Sequence, residues 1–394
     1  MTSAVELTQE YVAQTYKRPP FVLTRGKGMK VWDETGKEYL DMISGIAVMA
    51  LGHSDTQVAE IIQEQAEKLI HVSNLYYTAP QAQLAQLLCE KSFADRVFFC
   101  NSGAEANEAC IKFARKYAFG NNDHQRREIV SFSNAFHGRT MGALAVTPKE
   151  QYQKPFQPLM GAAKTLPFND IAAAEAGISS ETCAVLVEPI QGEGGVYPAS
   201  VEFIQSLRRL CDERGALLVF DEVQCGLGRT GTLWAYEQYG VTPDLMALAK
   251  PLAAGLPMGA CLMTEKVHSA VAPGDHGSTF AAGALVSAVA KHVLERVSQP
   301  EFLAHVNEVG MYLWDRLHEL NAPQIVEIRG RGLMVGMELN IPVGDIVNAG
   351  YEHGLLLVGA GTHTLRFVPP LIMEKPDVDT LIERLEQLFV KVTV

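Results

Sequence analysis

Apolar residues along this chain recur in two rhythms: short unbroken runs, and spacings of three and four. The two alternate through the middle of the sequence. Unbroken runs at 97–100, 128–132, 183–187, 217–220, 246–249 and 260–263 predict strands buried on both faces. Helical spacing falls between most of them, notably over 105–117 and 201–214. Strand and helix in alternation predict a largely parallel sheet covered on both sides, with ligand chemistry collected at the carboxyl ends of its strands.

The flanks differ. A polar, helix-like start leads into 26–41, where short alternating stretches around Asp33-x-x-Gly36 read as a β-hairpin or small meander. A helix is expected from Ser54 onward, with Val58, Ile61, Ile62, Ala66 and Leu69 on one face. A further helix over 284–297 precedes a hairpin-like segment at 326–339. The chain closes on an amphipathic helix with Val378, Leu381, Ile382, Leu385, Leu388 and Phe389 inward. The expected organisation is an N-terminal segment 1–53, a large α/β domain 54–283 and a C-terminal segment 284–394. The two end segments together form a smaller α+β lobe.

Composition narrows the class. Of 394 residues, 47% are hydrophobic and 20% charged, a globular balance. No run approaches the ~18 apolar residues of a membrane-spanning helix. A net charge of −12 argues against nucleic acid or an anionic membrane as partner, while leaving room for a local basic pocket. The start, Met1 to Glu6, has neither a basic nor an apolar leader region, and the seven cysteines include no C-x-x-C pair. The expectation is a cytoplasmic protein with reduced thiols and no metal site.

Candidate chemistry sits where the strands end. Asp221 closes one apolar run, and Lys250 follows another 29 positions on. A lysine can hold the aldehyde of pyridoxal phosphate, and a carboxylate can keep the cofactor's ring nitrogen protonated. Taken alone, an Asp after a strand is more often a helix cap and a Lys before Pro more often a solvated loop residue; the case rests on the motifs that accompany them. Four further motifs accompany them. Asn101-Ser102-Gly103-Ala104-Glu105-Ala106-Asn107-Glu108 opens a helix with small residues and free N–H groups, a phosphate cradle or an ordinary Ser cap. Phe136-His137-Gly138-Arg139 sets a flat ring beside a guanidinium, suited to stacking on a heterocycle and forking a carboxylate, or else a loop with a surface Arg. Glu188-Pro189-Ile190-Gln191-Gly192-Glu193 places two carboxylates in a glycine-rich loop that would repel phosphate, with Arg366 as the candidate partner. His276-Gly277-Ser278-Thr279 offers hydroxyls in a turn. A nucleotide-dependent dehydrogenase would share the alternation, but it should show G-x-G-x-x-G after an early strand, which this chain lacks.

With Gly45-Ile46-Ala47-Val48 and Ser73-Asn74-Leu75-Tyr76-Tyr77, these motifs run in order from Gly26 to Leu371. In that order the chain resembles a class III (ω-amino acid) aminotransferase of pyridoxal phosphate fold type I. The resemblance implies that Lys250 binds the cofactor aldehyde and catalyses, and that Asp221 pairs with the ring nitrogen. Gln224 would meet the phenolic oxygen, and Val223 and Phe136 would cover the two ring faces. Ser102, Gly103 and Ala104 would hold the phosphate, with Thr279 reaching in from the partner of a homodimer with shared sites. Arg139 would grip the substrate α-carboxylate and Ser278 would touch substrate. Glu193 and Arg366 would act as a switch: the arginine is masked for the ω-amino donor and freed for glutamate. The implied donor is N-acetylornithine and the acceptor 2-oxoglutarate, with ornithine, N-succinyl-diaminopimelate or GABA as other donors. Two places depart from the family's pattern, Met49 where Asn is usual and Ala281-Ala282-Gly283-Ala284 where Gly-Gly-Asn-Pro is usual.

Overall fold

The computed structural model describes residues 3–121 and 123–392, so Met1 and Thr2, the first residues of the start read above, lie outside the described residues. Its centre is a seven-stranded sheet made of β1 (Arg96–Cys100), β2 (Glu128–Phe132), β3 (Ala163–Leu166), β4 (Thr182–Val187), β5 (Leu217–Asp221), β6 (Leu245–Leu248) and β7 (Gly259–Met263), in the spatial order β1-β7-β6-β5-β4-β2-β3. All seven run the same way except β7, which pairs antiparallel with both β6 and β1. The sheet is thus largely parallel, as expected, with 259–263 as its one antiparallel strand among the described residues. Its side chains are buried on both faces, a pattern that carries no sign of strand direction. The edge strand β3 was not read from the sequence because its alternation is polar and half-exposed.

Alternate residues of β5 feed two separate cores. Leu218 and Phe220 pack with Phe203, Ile204 and Leu207 of the helix Val201–Arg214. Leu217 and Val219 pack with Cys110, Phe113 and Ala114 of the helix Gly103–Gly120. Period-two alternation therefore sends Asp221, the last residue of β5, to the face of the Gly103–Gly120 helix.

Two smaller sheets flank this layer. One joins Leu23–Lys27, Lys30–Asp33 and Glu38–Asp41 to Leu355–Leu356, the last pairing being parallel. The other is antiparallel, in the order Ile325–Arg331, Met334–Leu339, Thr364–Phe367, Val358–Ala360, and it carries Arg366 opposite Gly336. The helices at Val201–Arg214 and Ala284–Val297 have the bounds the periodicity predicts, and the helix expected from Ser54 begins at Thr56 behind an Asp55 cap. Among the described residues, no helix is long and apolar enough to cross a membrane.

Candidate active site

A cavity of about 420 Å³ opens at the carboxyl ends of the parallel strands, the size of a small-ligand pocket. Ser102, Gly103, Ala104, Phe136, Arg139, Glu193, Asp221, Val223, Gln224 and Lys250 all line it. Ser278, Thr279 and Arg366 do not; each is reached differently.

The phosphate-cradle candidate is built by helix geometry. Ser102 caps the helix, its Oγ accepting from the Glu105 N–H at 3.2 Å, so the first-turn N–H groups of Gly103 and Ala104 are left without helical acceptors and point at the pocket. Glycine at 103 is a packing necessity, since a Cβ there would sit 2.7 Å from Val223 Cγ1. The two residues that would bracket a flat ring and hold its phosphate are thus in mutual contact.

Asp221 ends β5 almost fully buried, and its carboxylate is held on both oxygens. Oδ2 accepts from Asn107 Nδ2 and from His137 Nδ1, each at 2.7 Å, and Oδ1 accepts from the Val223 N–H at 3.0 Å. Asn107 Nδ2 also donates to the His137 carbonyl at 2.8 Å, closing a three-residue clamp. Three donors fix the carboxylate's position and orientation at the base of the pocket. Asn107 and His137 carried no assigned role in the sequence reading, although both lie inside motifs it singled out. They meet Asp221 across 114 and 84 positions, so no local spacing announces them.

Lys250 follows β6, the parallel neighbour of β5, and opens a 3₁₀ turn Lys250–Ala253 with φ +38°. That left-handed conformation is costly for a residue with a Cβ and is typical of functional loops. Burial pushes its amine down to about 8, with the Arg366 guanidinium acting in the same direction. A neutral amine is the nucleophile that an aldehyde requires.

Arg366 is buried and donates from Nη1 to Glu193 Oε1 at 2.6 Å and to Gln224 Oε1 at 2.9 Å. Its Nε is buried without a hydrogen-bond partner among the described residues. Burial pushes the Glu193 carboxyl up, but the facing cations Arg366, Lys250 and Lys149 outweigh it and hold the group below its ordinary range. Arg139 is exposed; its guanidinium lies 3.5 Å from the centre of the Tyr152 ring and pairs with no carboxylate among the described residues. Ser278 sits at the rim, where its Oγ accepts from Asn101 Nδ2 at 2.9 Å. Thr279 is exposed and lies outside this chain's own cavity. Glu188, the other carboxylate of that glycine-rich loop, is buried, lines the same cavity and accepts from the N–H groups of Phe136 and Gly192, each at 3.1 Å; burial pushes its carboxyl up to about 7.

The class III aminotransferase family profile, Aminotransferase class-III, matches residues 11–389. This chain belongs to that family. The class III aminotransferase is 52% identical over 390 residues to the mitochondrial acetylornithine aminotransferase of Alnus glutinosa, covering 97% of this chain and 86% of that one. It is 46% identical over 390 residues to the acetylornithine aminotransferase of Methanocaldococcus jannaschii, covering 98% of each. Among solved structures, the ornithine aminotransferase of Toxoplasma gondii superposes with a TM-score of 0.94 at 32% identity, covering 98% of this chain and 94% of that one. Class III aminotransferases work with pyridoxal phosphate, and the pocket fits it: a helix N-terminus for the phosphate, Phe136 and Val223 in its lining for the ring, a triply bonded carboxylate in the same lining, and a lysine held partly neutral.

Proposed function

We propose that this aminotransferase moves the terminal amino group of N-acetylornithine to 2-oxoglutarate, giving N-acetylglutamate semialdehyde and glutamate. The observation that carries the reading is the Glu193–Arg366 pair beside Lys250. A donor with one free carboxylate and a distant amine needs one exposed arginine, Arg139. A glutamate needs a second, which Arg366 supplies once Glu193 releases it. Relatives bearing the acetylornithine name support this donor, and a succinylornithine transaminase of Yersinia pseudotuberculosis, 46% identical over 400 residues, supports other N-acylated ornithines as second substrates.

The roles then fall to named groups. When bound, the cofactor supplies an electron sink for the bonds at the amine-bearing carbon. Lys250 Nζ would hold the aldehyde at rest and, when free, would carry the proton from that carbon. Asp221 would keep the ring nitrogen protonated, with Asn107 and His137 orienting Asp221. Gln224 would meet the phenolic oxygen, Val223 and Phe136 would cover the ring faces, and Ser102, Gly103 and Ala104 would hold the phosphate. Ser278 touches substrate from the rim.

We also assign a cytoplasmic homodimer with shared sites. Leu75, Tyr76, Tyr77 and Phe280 lie exposed beside Thr279, and Asn74 ties their segments together by donating to the carbonyls of Ser278 and Ala281, both at 3.1 Å. Exposed large apolar side chains on segments tied together in this way suit a subunit contact, which would place Thr279 against a partner's pocket. The free state of all seven cysteines fits a reducing compartment. The parallel pairing of Leu355–Leu356 with Glu38–Asp41 supports grouping 1–53 with 284–394 in one lobe around the domain 54–283.

The test is kcat/KM for N-acetylornithine, N-succinylornithine, ornithine and GABA against 2-oxoglutarate, with Lys250→Ala as control. N-acetylornithine should lead and the control should be inactive; a different leading amine overturns the substrate assignment. Mixing Lys250→Ala with Thr279→Ala should restore activity if the sites are shared, and a mixture as dead as its parents refutes that.

A further inference from the structure

We propose that Arg329 is a positioning residue for the Glu193–Arg366 pair: one buried guanidinium that ties the loop carrying Glu193 to the sheet carrying Arg366 and so sets the switch. The inference rests on the switch reading above.

Glu193 lies at the tip of a short hairpin, with Ile190–Gln191 pairing antiparallel with Tyr197–Pro198. Two residues on, Gly195 offers its carbonyl to Arg329 Nε at 2.7 Å. The same guanidinium donates from Nη2 to Thr364 Oγ1 at 2.9 Å and to Glu338 Oε2 at 2.6 Å. Thr364 Oγ1 in turn donates to Glu338 Oε2 at 2.7 Å. Thr364 lies two residues before Arg366 on the same strand, so both side chains point to one face of it. Arg329 therefore spans from the backbone of the Glu193 loop to the strand of Arg366.

Two further contacts fix the span. The ring of Tyr197, from the hairpin's return strand, lies 3.8 Å beneath the guanidinium. Val196 presses onto the strand at Gly336, where an added Cβ would come within 2.8 Å of it, and Gly336 is the residue in register with Arg366. The remaining partner, Glu327, pairs with Nη1 at 2.9 Å but is more than half exposed and contributes little. Every other group Arg329 holds is backbone or side chain of the two bodies whose separation decides whether Glu193 reaches Arg366. Arg329 touches none of the pocket-lining groups, so it acts through this spacing.

Loosening the strap frees Arg366 from Glu193, which harms the donor that needs the arginine masked more than glutamate, which needs it free. The experiment is single-turnover kinetics of the two half-reactions on the holoenzyme, N-acetylornithine against glutamate, with the 2-oxoglutarate dissociation constant measured by calorimetry on the aminated form. Arg329→Gln should lower the donor half-reaction relative to the glutamate half-reaction by about tenfold, the scale of coupling between contacting residues. It should leave the 2-oxoglutarate constant unchanged or tighter, and Arg329→Lys should restore part of the ratio. An equal fall in both half-reactions overturns the proposal and leaves Arg329 merely structural. If Arg329→Gln does not fold, Thr364→Val removes the link to the Arg366 strand alone; a shift in the same direction supports the strap and an unchanged ratio refutes it. Glu327→Gln should leave the ratio as it is, and a shift as large as that of Arg329→Gln would refute the positional argument. Arg366→Ala separates the two layers. If it fails to damage the glutamate half-reaction selectively, the switch reading itself falls. If it does damage it while Arg329→Gln leaves the ratio untouched, only the strap falls.

Discussion

Replacing Asp221 by Asn tests the clamp at the base of the pocket. The native carboxylate accepts three hydrogen bonds, from Asn107, His137 and the Val223 N–H. An asparagine offers one acceptor oxygen. Facing that oxygen to Asn107 and His137 turns the amide NH2 against the Val223 N–H; rotating it sets the NH2 against two donors instead. The better choice loses one bond and weakens two from charge-assisted to neutral, a loss of about 2–4 kcal/mol at a site with almost no solvent access. Denaturant unfolding of the cofactor-free protein should show a lower midpoint at unchanged slope. The cofactor should still bind through its phosphate, yet turnover should fall by about 100- to 1000-fold, the ~3–4 kcal/mol a misplaced electrostatic partner typically costs. An unchanged midpoint together with near-normal turnover would refute the reasoning, because the clamp would then hold nothing.

Three other outcomes follow from the same geometry. Burial holds the Lys250 amine at about 8, below its unfolded value, so the uncharged amine dominates above that pH. Capture of added pyridoxal phosphate by the cofactor-free protein should rise through about pH 8 and then level, and a rate still climbing near pH 10 refutes it. The sign for stability is the same. The unfolded lysine titrates near ~10.4, so between about 8 and ~10 the unfolded chain binds more protons, and stability from this group rises with pH. Gly103→Ala drives a Cβ to 2.7 Å from Val223 Cγ1, so the overpacked site should lose about 1–3 kcal/mol of stability, and since Val223 is expected against the ring face, cofactor affinity should drop by about tenfold; equal affinity in a titration would contradict that placement. Glu193→Gln weakens the hold on Arg366, so the N-acetylornithine half-reaction should slow by about tenfold or more while that of glutamate changes little, as read by single-turnover absorbance.

Much of this was legible in the sequence, for local reasons. The helices at Val201–Arg214 and Ala284–Val297 write their inward faces at three- and four-residue spacing, and Ser102 announces its cap within four residues. Asp221 and Lys250 were found because each ends an apolar run, and the parallel pairing of their strands makes them neighbours. What stayed hidden is non-local. The antiparallel direction of β7 leaves no trace in a run of Gly259 to Met263 that is buried on both faces. The polar edge strand β3 has none of the apolar density that marks its neighbours. The clamp of Asn107 and His137, the bond from Phe136 to the buried Glu188, and the strap of Arg329 join residues dozens to more than a hundred positions apart. Several of their partners are backbone groups, which every sequence possesses alike.

The most direct measurement is the visible absorption of the purified, cofactor-saturated protein as N-acetylornithine, ornithine, GABA and glutamate are added separately, with Lys250→Ala alongside. The account predicts a band from the lysine-bound cofactor in the parent protein, its absence in the variant, and bleaching by N-acetylornithine at the lowest concentration of the four. A parent protein without the band, or a variant that keeps it, would contradict the assignment of Lys250 and with it the whole site.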